Sequence, residues 1–228
     1  MYEQNHHNME QAYVKVGIEP TFFGKVMSFF ALALFTSALG TYLTATYLLQ
    51  YFIQTPMLMW VLFIAELAII WTSQKWSKIS PLNKILFAGF AFLSGATAAP
   101  LIGILAATQE GVLILTKALL ATGLTFTATA IFGWTTSRDL SRMGGFLTMG
   151  LIGMIVMGLL SFIFPWSNTA ELVFSGFGVL LFSGFTAYHF NMLKHYPRDM
   201  YIEAALGLYL SFFNLFMSIL HLILASRD

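Results

Sequence analysis

Apolar residues fill seven long stretches of this chain, and short polar or turn-forming groups separate them. The stretches cover roughly residues 26–49, 56–74, 84–107, 112–134, 144–164, 170–193 and 201–224. Each approaches the about 20 apolar residues that an α-helix needs to cross a bilayer. Between them stand Gln54-Thr55-Pro56, Ile79-Ser80-Pro81, Gln109-Glu110-Gly111, Pro165-Trp166-Ser167-Asn168 and Tyr196-Pro197-Arg198-Asp199. The pattern predicts an all-α protein, an integral membrane bundle of seven transmembrane helices. Residues 1–24 are polar and read as a flexible tail ahead of a transmembrane domain, residues 25–228.

The last stretch carries a second pattern. Gly207, Ser211, Asn214, Ser218, His221 and Ala225 recur at steps of four and three, with Leu, Phe, Ile and Met between them. That spacing puts all six on one helical face. Polar groups at membrane depth are costly unless they meet protein or water. The C-terminal helix is therefore expected to face inward, with the other helices around it.

Composition sharpens the class. The chain has 228 residues, of which 58% are hydrophobic and 9% charged, and its mean hydropathy is +0.77. Soluble domains carry about 25% charged residues. The lipid bilayer is thus the expected surrounding, and no polar run is long enough for a second, soluble domain. A formal net charge of +1 gives no reason to expect a nucleic-acid partner. Cysteine is absent, which removes disulfides, thiol catalysis and Cys-ligated metals.

Nine of the eleven Lys and Arg residues fall in the N-terminal tail and the even-numbered connections, among them Lys25, Lys75, Lys78, Arg138 and Lys194; Lys117 and Arg227 fall on the other side. The positive-inside rule then predicts a cytoplasmic N-terminus and a C-terminus outside. An odd number of spans preserves this asymmetry. Dense glycines in spans three, five and six suit close helix packing, or less simply a lined cavity. Pro100 would bend span three and free a carbonyl that water in a cavity could satisfy.

Three groups are candidates for chemistry inside the membrane. Glu66 is the acidic residue deepest in a span, and it reads either as a protonated acid bonded to a neighbouring helix or as an ion or proton site. His189, late in span six, reads as a neutral structural histidine or as a pH-sensitive group. His221 sits near the far end of the stripe, where water can reach it. Asn214 and Asn191 are expected to hydrogen-bond other spans. No nucleophile elbow, P-loop, His-Glu-x-x-His or paired aspartate is present. The sequence therefore suggests no enzyme, and it implies neither a cofactor nor a metal centre.

Several segments resemble the Bax inhibitor-1 family of seven-span membrane proteins. They are Phe92-Leu93-Ser94-Gly95 with Pro100, Arg138-Asp139-Leu140-Ser141 followed by Gly144-Gly145, and the closing Ala204-Ala205-Leu206-Gly207-Leu208-Tyr209-Leu210-Ser211-Phe212-Phe213-Asn214-Leu215-Phe216. The resemblance covers residues 25–228 and is closest to the proteobacterial branch called YccA, through Ser211 and Ala225-Ser226-Arg227-Asp228. It implies six helices around a central seventh. Some members are pH-sensitive calcium leak channels gated by two aspartates, at positions that correspond here to His189 and Ser211. Both acids are missing, so the carboxylate-pair gate does not carry over. Glu66 matches an acidic residue of span two in those channels. The candidate ion or proton site is accordingly Glu66, His189 and Ser211. The YccA branch implies a different role: a bacterial inner-membrane regulator and slow substrate of the membrane-anchored AAA protease, gripped through residues 1–24.

Overall fold

The computed structural model describes residues 20–161 and 164–227, and it is helical throughout its long elements. Helix α1 (Pro20–Leu43) continues through a π-helical stretch, Thr44–Leu48, into Leu49–Gln54. Then come α2 (Pro56–Trp71), a single helical turn at Ser73–Trp76, α3 (Leu82–Ala106) and α4 (Gln109–Thr135). The chain closes with α5 (Met143–Ser161), α6 (Asn168–Met192) and α7 (Tyr201–Ala225). These bounds lie within a few residues of the seven apolar stretches, except at the start of α1. Residues 20–24, expected in the tail, are already helical, and residues 1–19 of the expected tail lie outside the described residues.

Among the described residues, six of the helices are long and apolar enough to cross a membrane. Helix α2 is the short one. Its 16 residues rise about 24 Å, less than the about 30 Å of hydrocarbon. The cause is local: Thr72 leaves the helix at φ −90°, ψ 0°, and Trp76 folds back to donate its indole N–H to the Ile69 carbonyl at 3.0 Å. The expected span 56–74 therefore stops early.

Local signals set the other ends. Pro56 opens α2, where its missing N–H costs nothing. Thr108 caps α4 by accepting the Gly111 N–H at 3.0 Å, and Ser167 caps α6 through the Ala170 N–H at 3.3 Å. Glycine then lets helices touch backbone to backbone. A Cβ on Gly95 would collide with the Ser37 carbonyl, and one on Gly40 with that of Phe92, so α1 and α3 interlock with a glycine of each against the backbone of the other. Thr41 fastens the same contact by donating to the Gly95 carbonyl at 2.9 Å. Gly133 of α4 meets the Ala187 backbone of α6 in the same way. By contrast, Gly145, Gly153 and Gly158 of α5 face open space.

No residue of α7 from Tyr201 to Ala225 is exposed, whereas on α5 Leu147 alone is buried. Helix α7 packs against α1, α3, α4 and α6. The expected inward-facing C-terminal helix is thus present, with α2 and α5 further out. Large apolar side chains face outward around the bundle, for example Phe35, Leu124, Phe146 and Leu180, each at least 70% exposed. That surface suits lipid.

Connections alternate between two ends of the bundle. At one end Ser77 donates to Glu203 at 2.5 Å, Lys78 pairs with Asp199 at 3.5 Å and Lys194 donates to the Thr136 carbonyl at 3.2 Å. At the other, Arg227 meets Glu110. The first end holds Lys25, Lys75, Lys84, Arg138, Arg142 and Arg198 as well and is called the basic end below. There, burial pushes the Tyr196 phenol up to about 12, with Tyr188 and Glu203 adding to the shift.

Candidate functional site

The polar stripe of α7 divides into two parts. Toward the end that carries the C-terminus, Asn214, Ser218 and His221 line a cavity of about 900 Å³. Helices α2, α3, α5 and α6 supply the other walls, through residues such as Phe63, Thr97, Gly158 and Ser175. Helices α2 and α5 both line the cavity and have little contact with each other. Pro100 lies in its wall within an unbroken α3. The Ala96 carbonyl that proline leaves without its usual helical donor is therefore close to this space.

Toward the basic end the stripe is closed. The ring of His189 lies on Gly207, where a Cβ would stand 2.6 Å from Cε1. Phe185 stacks on that imidazole at 5.8 Å and 17°, and Tyr188 meets it edge-on at 5.3 Å. Ser211 donates to the Gly207 carbonyl at 2.9 Å. His189 and Ser211 thus converge on one residue. The expected structural histidine is half-buried, yet its Nδ1 is out of reach of solvent and has no hydrogen-bond partner. Closeness at Gly207, rather than a bond, holds the ring.

Glu66 belongs to a different cluster. Thr97 donates to its Oε1 at 3.0 Å and Ser94 to its Oε2 at 3.3 Å. Both hydroxyls also reach carbonyls of their own helix, Thr97 those of Leu93 and Ser94, and Ser94 that of Phe90. Each hydroxyl has one proton. They can donate to a carboxylate, or turn to the backbone and accept from a carboxylic acid. Glu66 can therefore hold or release a proton without stranding a partner. Thr97 lines the cavity, so one hydroxyl separates Glu66 from that space. Of the three expected site residues, then, His189 and Ser211 come together, while Glu66 lies apart and connects to the cavity part of the stripe.

Asn214 does not bridge helices as expected: its Nδ2 donates to Leu210, in its own helix, at 2.8 Å. The face of α7 at that level borders a cavity, and the amide turns to its own helix. Asn191 does bridge. Its Oδ1 accepts the Leu140 N–H at 3.1 Å, and its Nδ2 donates to the Gly133 and Arg138 carbonyls, each at 3.2 Å.

Sequence reasoning missed four participants. Glu171, in the first turn of α6, faces His221 with Oε1 to Nδ1 at 3.2 Å; its place one turn from a helix start hid its role. Thr97 and Ser94 read as ordinary small residues. Tyr209, on the face of α7 opposite the stripe, is fully buried. It donates to the Ala91 carbonyl at 3.4 Å and lies within reach of Ser37 and Ser94. Among the described residues, no group of three or more His, Cys, Asp or Glu side chains is placed to hold a metal ion.

These features define a class: a polytopic helical membrane protein with a buried C-terminal helix and a partly polar cavity within the membrane span. The sequence model of the family described as "Inhibitor of apoptosis-promoting Bax1" matches residues 19–228, and the chain belongs to this Bax inhibitor-1 family. It is 31% identical over 202 residues to an uncharacterized protein of Campylobacter jejuni, covering 89% of this chain and 87% of that one. An uncharacterized protein of Helicobacter pylori is 33% identical over 165 residues, covering 72% and 70%. The "BI1-like protein" of Arabidopsis thaliana is 30% identical over 172 residues, covering 74% and 66%.

Proposed function

We propose that this protein provides a gated proton path across the membrane, closed in the conformation described. The observation that carries this reading is the hydrogen bond from Thr97 to Glu66. It joins the deep acid to the cavity that lies toward the C-terminal end. On the basic side, the path meets the His189 ring seated on Gly207 and the tightly buried start of α7. The side-chain set favours a proton over calcium. A divalent cation wants several oxygen ligands, and Glu66 offers one carboxylate beside two hydroxyls. The reading keeps His189 and Ser211 as the gate, with packing in place of a carboxylate pair.

The test is proton flux into liposomes containing the purified protein, followed with an internal pH dye between about pH 5 and pH 8. Glu66→Gln should abolish the flux, because an amide can accept from one hydroxyl and donate to the other but carries no titratable proton. Liposomes as tight as protein-free ones throughout that range would reject the path.

A second reading draws on the N-terminal sequence and the YccA-like residues. Residues 1–19 are largely polar and precede a helix that begins at Pro20. A membrane AAA protease needs a loose segment to pull, and a bundle in which no residue of α7 is exposed resists extraction because each span removed exposes apolar surface. In this reading the protein sits in the bacterial inner membrane, N-terminus cytoplasmic and C-terminus outside, and slows the protease. Deleting residues 2–20 should end its competition with other membrane substrates; undiminished competition by the truncated chain would dismiss this role. No enzymatic activity is proposed.

A further inference from the structure

We infer that the cavity lined by α2, α5, α6 and α7 is a binding site for a lipophilic amine, a molecule with one cationic head and an apolar body. The inference rests on the cavity and not on proton conduction.

Charge and aromatic content decide the ligand class. The cavity wall includes Glu171 but neither Lys nor Arg. The Glu171 and His221 side chains are 43% and 41% exposed, so the acid is reachable from the cavity rather than sealed in the bundle. Rings flank the space on both sides. Trp60 and Phe63 meet edge-on at 6.5 Å on α2. Trp166 meets Phe174 edge-on at 4.7 Å beside Glu171. Aromatic faces attract cations most strongly where water is scarce, and a carboxylate at their rim supplies the counter-charge. An anionic head would instead face Glu171 with no cation other than a protonated His221 to offset it.

Size and access agree. The about 900 Å³ of the cavity lies at the upper end of the roughly 300–1,000 Å³ found for drug-sized ligands. Its walls are mainly apolar and hold a few convergent polar groups, Asn214, Ser218 and the Glu171–His221 pair. The space is open to its surroundings rather than enclosed, and the helices that line it, α2 and α5, also carry lipid-facing apolar side chains such as Val61 and Phe146. An amphiphile already dissolved in lipid can slide in with its head toward Glu171 and its body along Phe63 and Leu151.

The full-length protein in phosphatidylcholine nanodiscs can be tested with a tritiated hydrophobic tertiary amine bearing a diazirine. An uncharged amide of the same size serves as control. The amine should bind saturably and crosslink to residues of α6 and α7 that line the cavity. Glu171→Gln should weaken amine binding by about tenfold or more and leave the amide unchanged. If that variant folds poorly, Gly158→Phe gives an independent test. Gly158 lines the cavity and has nothing within 4 Å of a built Cβ, so a bulky ring can fill the space without a backbone clash and should block both probes. Glu66→Gln, which removes the proposed proton carrier, should bind the amine like the parent. Equal affinity for amine and amide, parent-like amine binding by Glu171→Gln or by Gly158→Phe, or crosslinks confined to lipid-facing residues would each overturn the proposal.

Discussion

The imidazole of His189 rests on the bare Cα of Gly207: a Cβ built there would stand 2.7 Å from Nδ1 and 3.1 Å from Nε2. Two helices meet at that point, α6 and α7, and the ring is also boxed by Phe185 and Tyr188. The glycine of the polar stripe is thus a seat for an aromatic ring.

A side chain at Gly207 has to expel that ring. Overpacking of this kind costs typically about 1–3 kcal/mol. Gly207→Leu should lower the melting temperature in detergent, and adding His189→Ala should restore part of the loss by making room. Melting like the parent in the single variant, or no recovery in the double, would show that the contact does not constrain α7.

Asn191 fastens the connection between α4 and α5 to α6 with three bonds to backbone groups. Asn191→Leu would leave buried donors and acceptors unmet, each at about 1–3 kcal/mol. The variant should be among the least stable single substitutions, and hydrogen exchange at the Leu140 amide should rise sharply. Parent-like protection there would refute the clamp.

Thr97 is the proposed relay between Glu66 and the cavity. Thr97→Val keeps the shape and removes the hydroxyl. Stability should change little, by about 0.5–1.5 kcal/mol, while proton flux in liposomes falls toward that of Glu66→Gln. Undiminished flux in a folded Thr97→Val protein would remove Thr97 from the path.

Asp139, in the exposed connection before α5, accepts the Ser141 N–H at 2.8 Å and its hydroxyl at 3.0 Å. Those bonds hold its carboxyl below the usual carboxylate range, with His195 and Arg142 adding a smaller pull. A lowered folded pKa stabilises above the unfolded value, about 3.9, and the contribution is lost as pH falls through the folded value. Parent and Asp139→Ala should therefore differ in melting temperature at neutral pH and converge in strong acid. A gap that persists in acid would place the effect in packing instead.

Much of the architecture was legible in the residues. Runs of apolar sequence located seven helices, and steps of three and four in α7 identified the face that became buried. Charge asymmetry matched the alternation of connections seen at Lys78–Asp199 and Arg227–Glu110. The short α2 was not legible, because its end depends on Trp76 folding back onto Ile69.

The sequence by itself determined that this chain is a membrane bundle built on an enclosed final helix, since burial of apolar length and avoidance of polar groups in lipid act on every residue locally. Tertiary structure alone decided which polar groups meet: Glu66 with Thr97, His189 with Gly207, His221 with Glu171, and Asn214 with no other helix. Those partners lie up to 50 residues apart in the chain, and their meeting depends on the rotation and axial offset of whole helices. Periodicity fixes the face a helix presents, but neighbouring helices fix what that face touches.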